Sequence, residues 1–154
     1  MNKNHPVAFK TWLPVAAWMS VIFGFSTDYF SGSNTSAFLA PLLSSLFPSL
    51  SAGAIDSIHF ALRKFAHWGE YFILAWLLLR ALRVHFPRQS QLSRLGWSIV
   101  LTTLYAAGDE WHQSFVPSRT ASIVDVMIDS FGAICGTIWL SLRRQPVISK
   151  RNKA

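Results

Sequence analysis

The stretch that decides the fold is Ile123–Leu142, IVDVMIDSFGAICGTIWLSL, an apolar run that carries two aspartates near its start. A helix needs about 20 mostly apolar residues to cross the roughly 30 Å hydrocarbon core of a membrane. Three other apolar runs precede this one, at Thr11–Phe25, Phe65–Leu82 and Leu95–Gly108. None of the four is a clean span of that length, so a soluble helical bundle stays open as the alternative to four membrane spans.

The composition favours the membrane. Of the 154 residues, 51% are hydrophobic and 14% are charged, whereas a soluble domain carries about 25% charged residues. The 12 Phe and 7 Trp exclude a disordered chain. The single cysteine, Cys135, forms no internal disulfide and says nothing about the compartment.

The net charge of +7 would by itself suggest a nucleic-acid partner, but the charges are unevenly distributed. With the N-terminus inside and the runs alternating, eleven of the fourteen Lys and Arg fall on inner segments, with no acid. The other three cations and all seven acids fall on the outer side, so the inner charge is +11 and the outer charge is −4. By the positive-inside rule, both termini and the basic tail 143–154 are cytoplasmic. The cations therefore orient the chain, and we expect no nucleic-acid partner.

A long outer connection, Ser26–Lys64, joins the first two runs. Its stretch AFLAPLLSSLFPSL is apolar, but Pro41 and Pro48 interrupt it, which predicts an interfacial or re-entrant segment. From Ala54 apolar residues recur at helical spacing into the second run. No cleavable signal peptide is evident, and Pro14 is placed in the opening turn of the first helix. We predict one all-α, polytopic membrane domain over 1–154, with four transmembrane helices and this outer segment.

Ionisable residues in or beside membrane spans are costly, so each of them requires an explanation. Lys64, His67 and Tyr71 are spaced by three and four residues, which places them on one face of the second helix. Asp109 and Gln113 share a face at the end of the third run by the same spacing.

The fourth run begins with Asp125 and Asp129 one helical turn apart. Gly132 and Gly136 continue the same face. Small residues at this spacing predict a groove in which another helix approaches closely.

In the predicted topology all of these polar groups lie at one depth on the outer side. They are expected to line a single cavity that opens outward. Its members are Lys64, His67, Glu70, Asp109, Glu110, His112, Gln113, Arg119, Asp125 and Asp129.

Four short patterns in this order resemble the VanZ-like family of membrane proteins. They are K-x2-H-x3-Y from Lys64, D-E-x2-Q from Asp109, R-x5-D from Arg119 and G-x3-G from Gly132. The resemblance covers roughly Arg63–Leu142. The chain departs from the family pattern at Asp129, where asparagine is expected, and at Pro117–Ser118, where Pro-Gly is commoner.

The family is named for a protein of glycopeptide-resistance operons that raises tolerance to teicoplanin. The resemblance therefore implies a cell-envelope protein whose cavity binds a lipid-linked cell-wall precursor or a glycopeptide-type ligand. Lys64 and Arg119 would hold a phosphate or carboxylate, Arg119 through two parallel bonds. The predicted ligand-binding residues are Lys64, Tyr71, Asp109, Gln113, Arg119 and Asp129.

Several alternatives stay open. An enzyme acting on such a lipid-linked substrate would use His67 as general base with Glu110 and Asp125, although no nucleophile is evident. A metal site would use His67, His112, Glu110 and Asp125, but neither H-E-x-x-H nor a cysteine pair supports it, so we predict no metal and no cofactor. The polar groups also suit a purely structural network. A transporter ranks last, because the inner halves of the runs are apolar. The oligomeric state is not predicted.

Overall fold

The computed structural model describes residues 5–143, with side chains from residue 9 onward. Within this range the chain is helical and contains no strand, which confirms the all-α prediction. The helices are α1 (His5–Phe25), α2 (Gly32–Leu46), α3 (Ala52–His85), α4 (Gln91–Gln113) and α5 (Ile123–Leu142), with a short 3-10 helix at Asp28–Phe30. The predicted cytoplasmic N-terminus with Lys3, and the basic tail beyond Arg143, lie outside the described residues.

Each of the four apolar runs lies within one helix. Among residues 5–143, one helix, Ile123–Leu142, is both long and apolar enough to cross a membrane. The apolar part of α1, Phe9–Phe25, is shorter. Four transmembrane helices therefore stay a prediction, and the helical character of the runs is what the structure supports directly.

Two proline predictions need correction. The first helix begins at His5 rather than near Thr11, so Pro14 lies in the helix interior and not in its opening turn. Pro41 also lies inside a helix, α2, and only Pro48 falls in the connection between α2 and α3. A proline removes one helical hydrogen bond without ending the helix when the surrounding turns pack well enough. Sequence reasoning therefore placed the start of α1 too late, and it overestimated Pro41 as a helix breaker.

Serines set the starts of three helices. The side chains of Ser31, Ser51 and Ser90 each accept a hydrogen bond from the backbone N–H three residues later. These caps satisfy one of the free N–H groups at the first turn of each helix. From Ser51 onward α3 runs through 34 residues without a break, as the helical spacing predicted. At 1.5 Å per residue it is about 51 Å long.

Helix α3 is central and contacts each of the other four α-helices. Its closest neighbour is α5, which lies against it through Gly132 and Gly136. A Cβ added at either glycine would overlap the backbone carbonyl of Trp68 or Phe72. The predicted small-residue groove is confirmed, and this contact fixes which residues of α3 and α5 face each other.

Candidate functional site

The polar residues of α3, α4 and α5 meet at one end of the bundle. Lys64 of α3 forms an ion pair with Asp125 in the first turn of α5. The two side chains are 25% and 11% exposed, so the pair is only partly accessible to water. A carboxylate in the first turn is also stabilised by the helix dipole. Lys64 is thus neutralised within the protein.

A second group ties the end of α1 to α4. The Ser26 hydroxyl donates to the Asp109 carboxylate, whose two oxygens lie 2.5 and 2.6 Å from it. The Gln113 side-chain amide donates to the same carboxylate at 2.9 Å. All three residues are buried. Asp109 and Gln113 share a helix face as predicted, and their carboxylate–amide contact serves helix packing.

Glu110 connects α4 to the start of α5. Its Oε2 accepts a hydrogen bond of 2.8 Å from the backbone N–H of Ser122, the residue before α5. Burial raises the pKa of the Glu110 carboxyl, and the bond from Ser122 opposes that rise. Its other oxygen, Oε1, is buried and has no hydrogen-bond partner among the described residues.

His67, Glu110 and Asp129 converge between the three helices. Each offers one nitrogen or oxygen, and the three atoms lie within 4.8 Å of one another. His67 Nδ1 is 3.5 Å from Asp129 Oδ1, which is longer than an ordinary hydrogen bond. Asp129 is fully buried, as is Tyr71 on the neighbouring turn of α3. The spacing of α3 and α5 set by the glycines brings His67 and Asp129 opposite each other.

Two pockets open beside this group. The first has a volume of about 320 Å³ and is walled by Phe25, Phe30, Ala66, His67 and Glu70, among others. The second, about 530 Å³, is lined by more polar residues, including Lys64, Ser118, Thr120, Ser122 and Asp125. Arg63, Gln113 and Arg119 line both pockets. The two pockets are therefore adjacent recesses with a shared cationic wall.

Arg119 is held by the main chain at the end of α1. Its guanidinium donates to the carbonyls of Phe25 and Thr27. Burial, and then the positive charge of nearby Arg63, lower the pKa of Arg119. The two ion pairs found among residues 5–143 involve other residues, so neither arginine is neutralised by a carboxylate there. Two guanidinium groups that form no ion pair with a carboxylate of the described residues thus stand in the wall between the pockets.

A family model described as VanZ/LLP1 matches residues 11–144. The chain belongs to the VanZ/LLP1 family. The match begins in α1 and so extends well beyond Arg63–Leu142, the part on which the sequence patterns were recognised. Neither the curated proteins nor the solved structures gave a match to the chain.

Membership in VanZ/LLP1, together with the apolar α5, favours a membrane protein. The family match includes α1 and the turn that follows it. Phe25, at the end of α1, and Thr27, in this turn, provide the carbonyls that hold Arg119, and the turn also contains Ser26. The site therefore extends beyond the three helices that carry the recognised patterns, to the end of α1, the turn after it and the start of α2.

The structure corrects the expectation of one cavity lined by every polar residue. Tyr71 and Asp109, predicted to bind ligand, are buried in the helix packing and line neither of the two adjacent pockets. His112 lies elsewhere, with its ring 4.8 Å from that of Phe23. His67 and Arg119 line the pockets as expected, and Asp129 lies behind His67. Periodicity places residues on a helix face but does not show how deep that face is buried.

Sequence reasoning missed two residues of this VanZ/LLP1 site. Arg63 was counted only as an outer charge, although Arg63, His67 and Glu70 follow helical spacing and line one pocket together. That spacing was the signal that would have found it. Ser26 was treated only as the first residue of the outer connection, and no local signal connects it with Asp109, which is 83 residues away.

Proposed function

We propose that this VanZ/LLP1 protein is a cell-envelope membrane protein with four spans, whose outer pockets bind the anionic head group of a lipid-linked cell-wall precursor or a glycopeptide-type ligand. In this proposal, ligand binding underlies teicoplanin tolerance. The other partner of the protein in this proposal is the lipid bilayer.

The placement in a membrane rests on helix length and on the protein surface. Helices α1, α3, α4 and α5 have 21, 34, 23 and 20 residues, enough for a hydrocarbon core of about 30 Å at 1.5 Å per residue. Large apolar side chains are exposed on them, such as Leu104 (63%), Met127 (66%) and Phe131 (60%). Contiguous exposed apolar surface is unusual for a soluble monomer.

The orientation rests on the separation of charge along the helices. Arg80 and Arg83 lie near the end of α3, and Arg94 lies near the start of α4, at the opposite end of the bundle from the pockets. The acids lie at the pocket end, giving the +11 and −4 distribution. The positive-inside rule then directs the pockets outward and leaves both termini in the cytoplasm.

The observation that carries the binding proposal is the pair of arginines that form no ion pair within residues 5–143. Arg63 and Arg119 share a pocket wall, and neither is paired with a carboxylate among residues 5–143. Two like charges held close together repel each other, and a bound phosphate or carboxylate would relieve that repulsion. Arginine suits this role because its guanidinium binds such groups through two parallel hydrogen bonds.

The two pockets differ in chemistry in a way that fits an amphipathic ligand. Phe25, Phe30 and Ala66 give the first pocket an apolar wall. Ser118 and Thr120 contribute hydroxyl groups to the second. A lipid-linked pyrophosphate has an apolar chain, a charged linker and a polar head. The apolar wall of the first pocket would contact the chain, the arginines shared by both pockets the linker, and the hydroxyl groups of the second pocket the head.

The direct test is a binding titration of the full chain in nanodiscs with a polyprenyl pyrophosphate. Arg63→Gln should weaken binding about 10- to 100-fold, because a hydrogen bond to a charged group contributes roughly 1.5–3 kcal/mol. Arg88→Gln, at the other end of the bundle, is the matched control and should bind as the wild type does. Equal affinity of the Arg63 variant and the wild type would refute the proposal.

The same proposal predicts a phenotype. In cells that show teicoplanin tolerance, Arg63→Ala or Arg119→Ala should abolish the tolerance while membrane insertion stays intact. Full tolerance in both correctly inserted variants would exclude these cations as essential residues.

A second candidate function is a hydrolase or transferase acting on the same class of lipid. The observation that favours it is the place of His67 in the first pocket, with Asp129 Oδ1 3.5 Å from its Nδ1. A histidine backed by a carboxylate is suited to act as a general base. Asp125 is paired with Lys64, so Asp129 replaces it as the orienting group. Phosphate release from polyprenyl pyrophosphate by the wild type, lost in His67→Gln, would support this function, and no release would count against it.

A further inference from the structure

We propose that His67, Glu110 and Asp129 form a binding site for one divalent transition-metal ion, zinc or manganese. The inference does not depend on the lipid ligand proposed above. It concerns a site for which the sequence alone predicted no metal.

The distances suit a shared ion better than a hydrogen-bonded network. His67 Nδ1 and Asp129 Oδ1 are 3.5 Å apart, beyond the roughly 2.7–3.2 Å of an N–H···O bond. Two ligand atoms on a tetrahedral zinc ion, each about 2.0–2.1 Å from the metal, are about 3.4 Å apart. The donor atoms of the three residues lie within 4.8 Å of one another, so a side-chain rotation of Glu110 completes the set.

The donor atoms are buried and make no hydrogen bond at ordinary distance to the part of the chain that the structure describes. Asp129 is 0% exposed and Glu110 is 4% exposed. Both carboxylate oxygens of Asp129, Oε1 of Glu110 and Nδ1 of His67 have no hydrogen-bond partner among residues 5–143. Leaving one buried polar atom unpaired costs about 1–3 kcal/mol. Asp129 Oδ2 and Glu110 Oε1 also lack an ion-pair partner among the described residues. Unpaired carboxylate oxygens beside His67 indicate that the group is arranged around something that binds them.

The charges point to a dication. Two buried carboxylates near each other are costly when both are ionised, and a divalent ion neutralises both at once. Lys64, one turn before His67 on α3, is already paired with Asp125. One imidazole and two carboxylates form a mixed nitrogen and oxygen donor set, which suits zinc or manganese better than calcium or magnesium.

The site also has an entry path and a supporting outer shell. His67 forms part of the wall of the 320 Å³ pocket, which connects it with the surface. The backbone N–H of Ser122 holds Glu110 by Oε2 and leaves Oε1 free to bind a metal. A hydrogen bond to the second oxygen of a ligating carboxylate is the usual way in which a protein orients such a ligand.

This donor set differs from the one that the sequence suggested. His112 packs against Phe23 and Asp125 is taken by Lys64, so neither joins the group. Asp129 takes their place, and it is the position at which the chain departs from the VanZ-like pattern by carrying a carboxylate.

The experiment is metal reconstitution of the full chain in detergent or nanodiscs. The chelator-treated protein is titrated separately with Zn²⁺ and Mn²⁺, and bound metal is measured by elemental analysis and by competition with a chromophoric chelator. The wild type should hold about one ion per chain. His67→Gln, Glu110→Gln and Asp129→Asn should each weaken binding by more than the roughly 10- to 100-fold cost of losing an outer-shell partner.

The variants are close in shape to the native residues, and thermal unfolding checks that each is folded. His112→Gln and Asp56→Asn are the matched controls, and both should bind metal as the wild type does. X-ray absorption of the zinc form should show only nitrogen and oxygen neighbours at about 2.0–2.2 Å. Less than a tenth of an ion per wild-type chain with both metals, or unchanged affinity in folded Asp129→Asn, would overturn the proposal.

Discussion

The contact between α3 and α5 can be tested by one added methyl group, Gly136→Ala. An ideal Cβ at Gly136 would lie 2.9 Å from the carbonyl carbon of Phe72 and 3.1 Å from its Cα. These are backbone atoms, so no side-chain rotation relieves the overlap. The two helices must separate, and with them His67 and Asp129.

Two opposing effects determine how much Gly136→Ala changes the free energy of unfolding. Alanine favours a helix interior over glycine by about 1 kcal/mol, and inserting a methyl group into a tightly packed contact costs about 1–3 kcal/mol. Gly108→Ala in α4 isolates the first effect, because an added Cβ there has no neighbour within 4 Å. The difference between the two variants is therefore the overpacking cost, about 1–3 kcal/mol.

The assay is thermal unfolding in one detergent, followed by tryptophan fluorescence. At about 2–4 °C per kcal/mol, Gly136→Ala should unfold roughly 2–12 °C below Gly108→Ala. Gly136→Ala with a melting temperature equal to or above that of Gly108→Ala would refute the close approach of α3 and α5.

Two further predictions concern the polar contacts. A double-mutant cycle of Lys64→Met and Asp125→Asn should give a coupling free energy of about 1–3 kcal/mol, because the pair is largely shielded from water. A coupling free energy near zero would mean that the two side chains do not interact in solution. Ser26→Ala should destabilise the protein by about 1–3 kcal/mol, since it removes a donor from buried Asp109. Ser20→Ala, which removes an exposed hydroxyl, is the control, and equal melting temperatures of the two serine variants would contradict the role of Ser26.

The spacing of residues along the chain predicted where the helices lie and which side chains share a face of the same helix. It placed the four apolar runs in helices, extended α3 back to the start of its apolar pattern, and set Asp109 and Gln113 on one face. The spacing of Gly132 and Gly136 also identified the groove correctly. Each of these depends only on residues within a few turns of one another, where helix geometry is fixed.

The rotation of one helix against another was not predictable in the same way. Spacing along the chain does not show which cation pairs with Asp125, and in the structure it is Lys64. Spacing also gave no reason to connect Ser26 with Asp109 or to separate His112 from the pocket. These contacts depend on packing between segments far apart in the chain, which side-chain spacing does not encode.

The central claim is that the pockets with Arg63 and Arg119 face outward from the membrane. Single cysteines placed in a Cys135→Ser background test it, with Ser118→Cys in the second pocket and Gln89→Cys in the loop at the opposite end of the bundle. In intact cells a membrane-impermeant maleimide should label the cysteine at 118, whereas the cysteine at 89 should be labelled only after permeabilisation. Labelling at 89 and not at 118 in intact cells would contradict the account.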